Sequence, residues 1–305
     1  MGDVLQGIHA TWEFESDSVL IRFQRGIRTP KLFQALGERR VPHEALSSVT
    51  LTPGRRGTVV LHAVPRAGAD PLTEAAAGQL RASGDPYRLL LPAERETLAE
   101  YYADELRASL ARVRGTGTGT GGVRDGQEPA ERYLVTAPEP PLQFKAYDAK
   151  ASFDGDRVSF RWFWTGASSA KWKAGDQILP VGELRGVEWR SPERFDGYLR
   201  LLLRDDPCSA RPPRPAPADH DPATVVFGPG YGPVHESLPF AAAVLEAVQA
   251  AATGRAAVPV HAVTPARRAP AEVAERIRHL GELHRAGLVT DDEFSAKKAE
   301  LLAEL

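Results

Sequence analysis

The chain repeats itself, and this limits it to folds that can be built twice in succession. Residues 10–23 read ATWEFESDSVLIRF and residues 149–162 read AKASFDGDRVSFRW, and the two align without a gap. Trp12 falls on Ala151, Phe14 on Phe153, Val19 on Val158, Ile21 on Phe160 and Phe23 on Trp162. The register continues downstream. VPHEALSSVTL (41–51) matches LPVGELRGVEW (179–189), GTVVLHA (57–63) matches GYLRLLL (197–203), and DPYRLLL (85–91) matches DPATVVF (221–227). Tyr102, Leu106 and Leu110 then match Phe240, Val244 and Val248 at helical spacing. The unit is a duplication of roughly 100–110 residues, the size of one domain.

Each block implies a local structure. Trp12–Phe14 and Val19–Phe23 alternate apolar and polar residues as half-buried strands do. Glu15-Ser16-Asp17-Ser18 and Asp154-Gly155-Asp156 supply hairpin chemistry between them. Further strands are expected over Ser48–Leu51, Thr58–Val64 and Tyr87–Leu91, and over Val187–Arg190, Tyr198–Leu203 and Thr224–Phe227. A helix closes each unit. Pro92-Ala93-Glu94 opens the first, with Leu98, Tyr102, Leu106 and Leu110 on one stripe, and Ser237 with Pro239 opens the second. The expected class is α+β, mainly β: two tandem units of antiparallel strands, each closed by a C-terminal helix, with a helical hairpin at the end.

Punctuation sets the boundaries. The first repeat spans 1–114, a Gly/Thr-rich linker 115–140, the second repeat 141–252, a Pro/Ala-rich linker 253–270 and a helical hairpin 271–305. In the hairpin, Val273, Ile277, Leu280 and Leu283 keep helical spacing, Gly287 stops the first helix, and Thr290-Asp291-Asp292-Glu293 forms a capping box for the second. About 30 residues bury too little surface to stand alone. The stripe of Ile277, Leu280, Leu283, Leu288, Phe294 and Leu301 therefore calls for a protein partner, another copy or another chain.

Composition narrows the function. Lys+Arg is 38 against Asp+Glu 40, so the basic surplus of a dedicated nucleic-acid binder is missing. One Cys excludes a disulfide framework and a Cys-based zinc site, and the N-terminus shows no secretory apolar stretch, so a cytoplasmic protein is expected.

LGELHRAGLVTDDEFSAKKAELL (280–302) resembles the short C-terminal (SHOCT) domain, with Leu280, Leu283, Gly287, Leu288, Thr290, Glu293, Phe294, Lys297 and Leu301 on its pattern. TWEFESDSVLIRF, ALGERRVPHEALSSVTLTPG and DPYRLLL, with ASFDGDRVSFRWFW, GYLRLLL and HDPATVVFG, resemble an actinobacterial domain family of unknown function that occurs in tandem ahead of SHOCT. The resemblance implies a pleckstrin-homology-like fold for each repeat and an oligomerisation or interaction role for the tail. It carries over no catalytic residue.

Candidate chemistry is sparse. Gly115–Gly122 lacks the strand and helix context of a phosphate loop and reads as linker. Gly228-Pro229-Gly230-Tyr231-Gly232-Pro233 follows a strand and precedes a helix, but its prolines remove amide donors, so a turn is the better reading. The acidic hairpin residues Glu13, Glu15, Asp17, Asp154 and Asp156 read as turn formers, and Asp219, His220, Asp221 and Cys208 as a solvated Pro-rich loop. No catalytic residue, metal or cofactor is assigned, and an enzyme is not expected. Basic and aromatic residues recur after the second strand of each unit: Arg25, Arg28 and Lys31 in one, Lys171, Trp172 and Lys173 in the other. The plain reading is that the neighbouring Phe23, Trp162 and Trp164 are core and the cations ordinary surface solubilisers; the alternative is a loop facing an anionic membrane or acidic partner. The leading functional expectation is a non-enzymatic cytoplasmic scaffold that homo-oligomerises or docks through the hairpin.

Overall fold

Alternating burial in the N-terminal hairpin sets up the first layer. The computed structural model describes residues 3–115, 128–194, 196–204 and 216–254. Strands β1 (Asp3–Gln6), β2 (Ala10–Phe14), β3 (Ser18–Phe23) and β4 (Glu38–Pro42) form an antiparallel sheet in that order, with a short helix α1 (Lys31–Leu36) between β3 and β4. Trp12 pairs with Ile21 across β2 and β3, and both side chains are buried. A second sheet holds β5 (Leu46–Pro53), β6 (Thr58–Pro65) and β7 (Arg88–Pro92), and helix α2 (Pro71–Ala76) lies between β6 and β7. Helix α3 (Glu96–Gly115) closes the unit. Its buried stripe runs through Ala99, Tyr102, Ala103, Leu106 and Leu110. Leu98, expected on that stripe, is 42% exposed because it stands one position off the buried Ala99–Ala103 line.

The second repeat is built to the same plan. β8 (Leu142–Lys145), β9 (Ala149–Phe153), β10 (Arg157–Trp162) and β11 (Gln177–Pro180) form one sheet, with α4 (Ser169–Ala174) between the last two. β12 (Leu184–Arg190), β13 (Tyr198–Leu203) and β14 (Thr224–Val226) form the other, and α5 (Val234–Ala252) closes it. Even irregularities recur. A 3-10 turn precedes β5 at His43–Ala45 and β12 at Val181–Glu183, and the register shifts between Leu46 and Ser48 and again between Leu184 and Gly186. A register shift shared at the same strand entry fits two copies of one unit, since bulges are kept within families. The sequence reading placed α5 at Ser237; it begins three residues earlier, at Val234.

The described residues belong to one compact unit, Met1–Arg255. One core gathers Leu5, Trp12, Ile21, Phe33, Leu61, Leu89 and Leu106 of the first repeat. The other gathers Phe153, Phe160, Trp189, Leu199 and Phe240 of the second, and it also takes in Leu32 of α1 and Leu72, Ala75 and Ala76 of α2. The first repeat thus lends two helices to its neighbour. Ala241, Ala242 and Ala243 are buried in α5 along with Ala75 and Ala76 of α2, small residues of the kind that let two helix backbones approach. Burial on all sides explains why α5 is apolar nearly all round.

Polar contacts finish the junction. The Gln79 amide donates to the Trp189 carbonyl at 2.9 Å and accepts from the Ser191 N–H at 3.0 Å. Residues 128–140, assigned from sequence to a linker, pack against both repeats: Val135 joins the first core and Ala137 the second. Glu246 and Gln249 of α5 accept from the Ala137 and Tyr133 amides at 3.1 and 2.7 Å. Burial raises the pKa of Glu246 and pushes the Tyr133 hydroxyl up to about 12, helped by Glu74, Asp70 and Glu246 nearby. The residues of the expected hairpin, Ile277, Leu280, Leu283, Leu288, Phe294 and Leu301, lie outside the described residues, as do Cys208 and residues 116–127.

Candidate functional site

The segment between β3 and α1, and its counterpart between β10 and α4, carries the basic and aromatic residues singled out from sequence. In the first repeat, Arg25, Gly26, Ile27 and Arg28 are exposed, and Ile27 at 105% is as open as a side chain can be. A Thr29 N–H to Gly26 carbonyl bond of 3.1 Å and the Gln34 amide on the Gly26 and Thr29 carbonyls hold this turn. In the second repeat, Trp164 (79% exposed) and Trp172 (49%) meet edge to face, 5.5 Å between ring centres, with Lys173 exposed beside them. Phe23 and Trp162 are core residues, as the plainer reading held, but Trp164 is not.

Lys171 is the clear correction. Both sequence readings, solvating cation and anion-facing loop, put it at the surface; its side chain is wholly buried. Lys171 is the third residue of α4, and the third residue of α1 is Phe33, which stacks on Phe23 at 4.8 Å and plugs the first core. The lysine takes the plug's place. Its ammonium donates to Asp148 Oδ2 at 2.6 Å and lies 5.1 Å from the centre of the Trp162 ring. Asp148 also accepts the Val226 N–H at 2.9 Å, tying β14 to the turn before β9. Burial pulls the Lys171 pKa down and pushes the Asp148 pKa up, and the attraction between them opposes both shifts.

The first repeat buries its charge elsewhere. Arg39 of β4 donates to Asp70 Oδ1 at 2.6 Å with both side chains almost fully covered. Asp70 is the N-cap of α2, accepting from the Leu72 and Thr73 amides, the Thr73 hydroxyl and the Tyr87 hydroxyl at 2.6–3.2 Å. Burial drives the Tyr87 hydroxyl pKa well upward, against the pull of Arg39. Sequence reading missed α2 altogether. Its signal was present in Asp70-Pro71, an N-cap acid followed by Pro at the first helical position.

A cavity of about 500 Å³ opens where the two repeats meet, and no sequence pattern pointed to it. Lys31, Leu32, Leu80 and Arg81 come to it from the first repeat, Glu193, Tyr231, Val234 and His235 from the second. Lys31, grouped from sequence with Arg25 and Arg28, thus lines a different feature. The Gly-rich loop before α5 forms part of the wall, and it is the turn that sequence favoured: the Tyr231 N–H meets the Gly228 carbonyl at 2.9 Å. Gly232 is required there, since its φ is +61° and an added Cβ would fall 2.2 Å from the Phe227 ring. Arg81 pairs with Glu193 at 2.8 Å, and burial lowers the His235 pKa.

The other acidic candidates have structural partners. Asp154 accepts the Asp156 and Arg157 amides of its own turn, Glu15 accepts from Ser18 and Arg40, and Asp221 pairs with Arg200 at 3.1 Å. Among the described residues no group of three or more His, Cys, Asp or Glu could hold a metal, and no helix is long and apolar enough to cross a membrane.

No curated protein matches the chain. A family model described as a domain of unknown function, DUF4429, matches it twice, over residues 12–107 and 151–245, and the short C-terminal domain, SHOCT, matches residues 275–302. The two DUF4429 matches fall on the two halves whose strands, bulges and closing helices correspond, so the chain belongs to the DUF4429 family, as a tandem pair followed by SHOCT.

Proposed function

We propose that this is a non-enzymatic interaction protein: the tandem repeats form a docking body, and the SHOCT segment joins chains or partners. The carrying observation is the repeated exposure of apolar side chains, Ile27 in one repeat and Trp164 with Trp172 in the other, on corresponding segments. The Trp164–Trp172 pair is more than a lone exposed residue, and with Ile27 on the corresponding segment it suits contact with another molecule. The buried groups Lys171, Asp148, Arg39 and Tyr87 are spent on core ion pairs and hydrogen bonds, which supports a structural use of charge. A single Cys suits a reducing, cytoplasmic setting. The order of a four-stranded sheet, a three-stranded sheet and a closing helix supports the pleckstrin-homology-like reading of each repeat.

Light scattering tests the assembly role. The full chain should exceed the monomer mass, and Leu283→Asp with Phe294→Asp should return it to monomer. A monomer before substitution, with no partner lost on substitution, contradicts it.

A second reading concerns what the exposed loops meet. Arg25, Arg28 and Lys173 are exposed alongside Ile27, Trp164 and Trp172, the mix of cation and interfacial aromatic that suits an anionic membrane surface. Lys171 has no part in it. Vesicles containing phosphatidylserine should float the protein at low salt, and Arg25→Glu with Arg28→Glu and Lys173→Glu should abolish flotation. Equal recovery with neutral vesicles contradicts this reading.

A further inference from the structure

We propose that the cavity between the repeats is a binding site for a small organic anion, a phosphate- or carboxylate-bearing molecule of about nucleotide size. Its volume of about 500 Å³ lies inside the range of small-molecule sites. Both repeats build it, so it exists only because the two have fused, and neither domain alone would offer it. Leu32, Leu80 and Val234 give apolar wall for the organic part of a ligand.

The polar lining sets the charge. Glu193, the one carboxylate among the described residues that line the cavity, is paired with Arg81 at 2.8 Å. That leaves the Lys31 side chain, exposed at the start of α1 and in no hydrogen bond or ion pair among the described residues. An unpaired ammonium facing a half-apolar recess favours an anion, since a charge-assisted contact there is stronger than one in open water. The His235 imidazole adds a donor on the same wall. Arg25 and Arg28 do not line the cavity, so this site is separate from the vesicle-facing loops proposed above.

Calorimetric titration of the full chain tests the site, with AMP and citrate as anionic probes and adenosine as the uncharged one. AMP or citrate should bind, and adenosine should bind at least about tenfold more weakly than AMP. Lys31→Glu, at an exposed position, should weaken the anion about tenfold or more, and Ser83→Trp, which puts a large ring at a lining position, should weaken all probes. Arg25→Glu with Arg28→Glu and Lys173→Glu, none of which lines the cavity, should leave the titration unchanged while abolishing vesicle flotation. Absence of binding by both AMP and citrate at about 5 mM overturns the proposal. So does anion binding that Lys31→Glu leaves intact in a protein with unchanged circular dichroism.

Discussion

The two repeats share every strand yet solve the same packing problem with opposite chemistry. At the third position of the helix after β3, the first repeat inserts Phe33 against Phe23. At the matching position after β10, the second inserts Lys171 against Trp162 and balances it with Asp148. His9 precedes β2 where Asp148 precedes β9, so the plug and its counterion changed together. The closing helices diverge in the same way. α3 keeps an exposed outer face of Glu, Arg and Tyr101, whereas α5 is covered on its outer side by α1 and α2 of the first repeat. A duplicated fold thus keeps its backbone plan while its charges and outer faces are reassigned by what each copy comes to touch.

That comparison can be broken by mutation. The largest effect is expected at Asp70, which caps α2 and holds Arg39, Tyr87 and Thr73. Asp70→Ala leaves a buried guanidinium unpaired, so urea denaturation should show a loss of roughly 3–5 kcal/mol, with about 1 kcal/mol more from the cap. Because α2 belongs to the other repeat's core, that change should weaken both halves.

Lys171→Ala should cost roughly 3–5 kcal/mol by the same mechanism, since Asp148 stays buried without its cation. Adding Asp148→Asn removes the stranded charge while keeping an acceptor for the Val226 N–H, and should restore at least half of the loss. Phe33→Ala leaves a cavity instead, and no second-site change at His9 should rescue it. Equal behaviour of the two positions would remove the distinction.

Gln79→Ala tests the seam. It strands the buried Ser191 N–H and the Trp189 carbonyl of the neighbouring repeat and should cost about 1–3 kcal/mol.

The smallest effect is the pH dependence contributed by His43 of the first repeat. His43 is buried, its Nε2 has no partner among the described residues, and burial lowers its pKa. The folded state then takes up its proton at lower pH than the unfolded chain, so stability is present above about pH 6.5 and declines as pH falls below it. Val181 stands at the matching position in the second repeat, with no charge to titrate. His43→Leu should flatten the denaturation midpoint between pH 7 and 5.

Repetition made the strand plan readable, because Trp12, Phe14, Val19 and Ile21 and their counterparts keep the two-residue period of a half-buried sheet. Four strands went unread. β1, β8 and β11 bury at most one side chain each, and one of the two buried residues of β4 is Arg39, so no apolar alternation marks them. Lys171 misled for a physical reason: a lysine is almost always exposed, and its partner Asp148 lies 23 residues away with no local signal. The cavity was illegible because its walls come from segments that meet only when the repeats pack.

The shared core and the Gln79 seam make the tandem one body and not two linked domains. Hydrogen exchange on the full chain tests it most directly, comparing amides of β6 near Leu61 with amides of β13 near Leu199 in native protein and in Gln79→Ala. A single body predicts that both cores open with the same free energy and that the seam substitution lowers the two together. Independent opening of the two strands, with Gln79→Ala moving neither or only one, contradicts it.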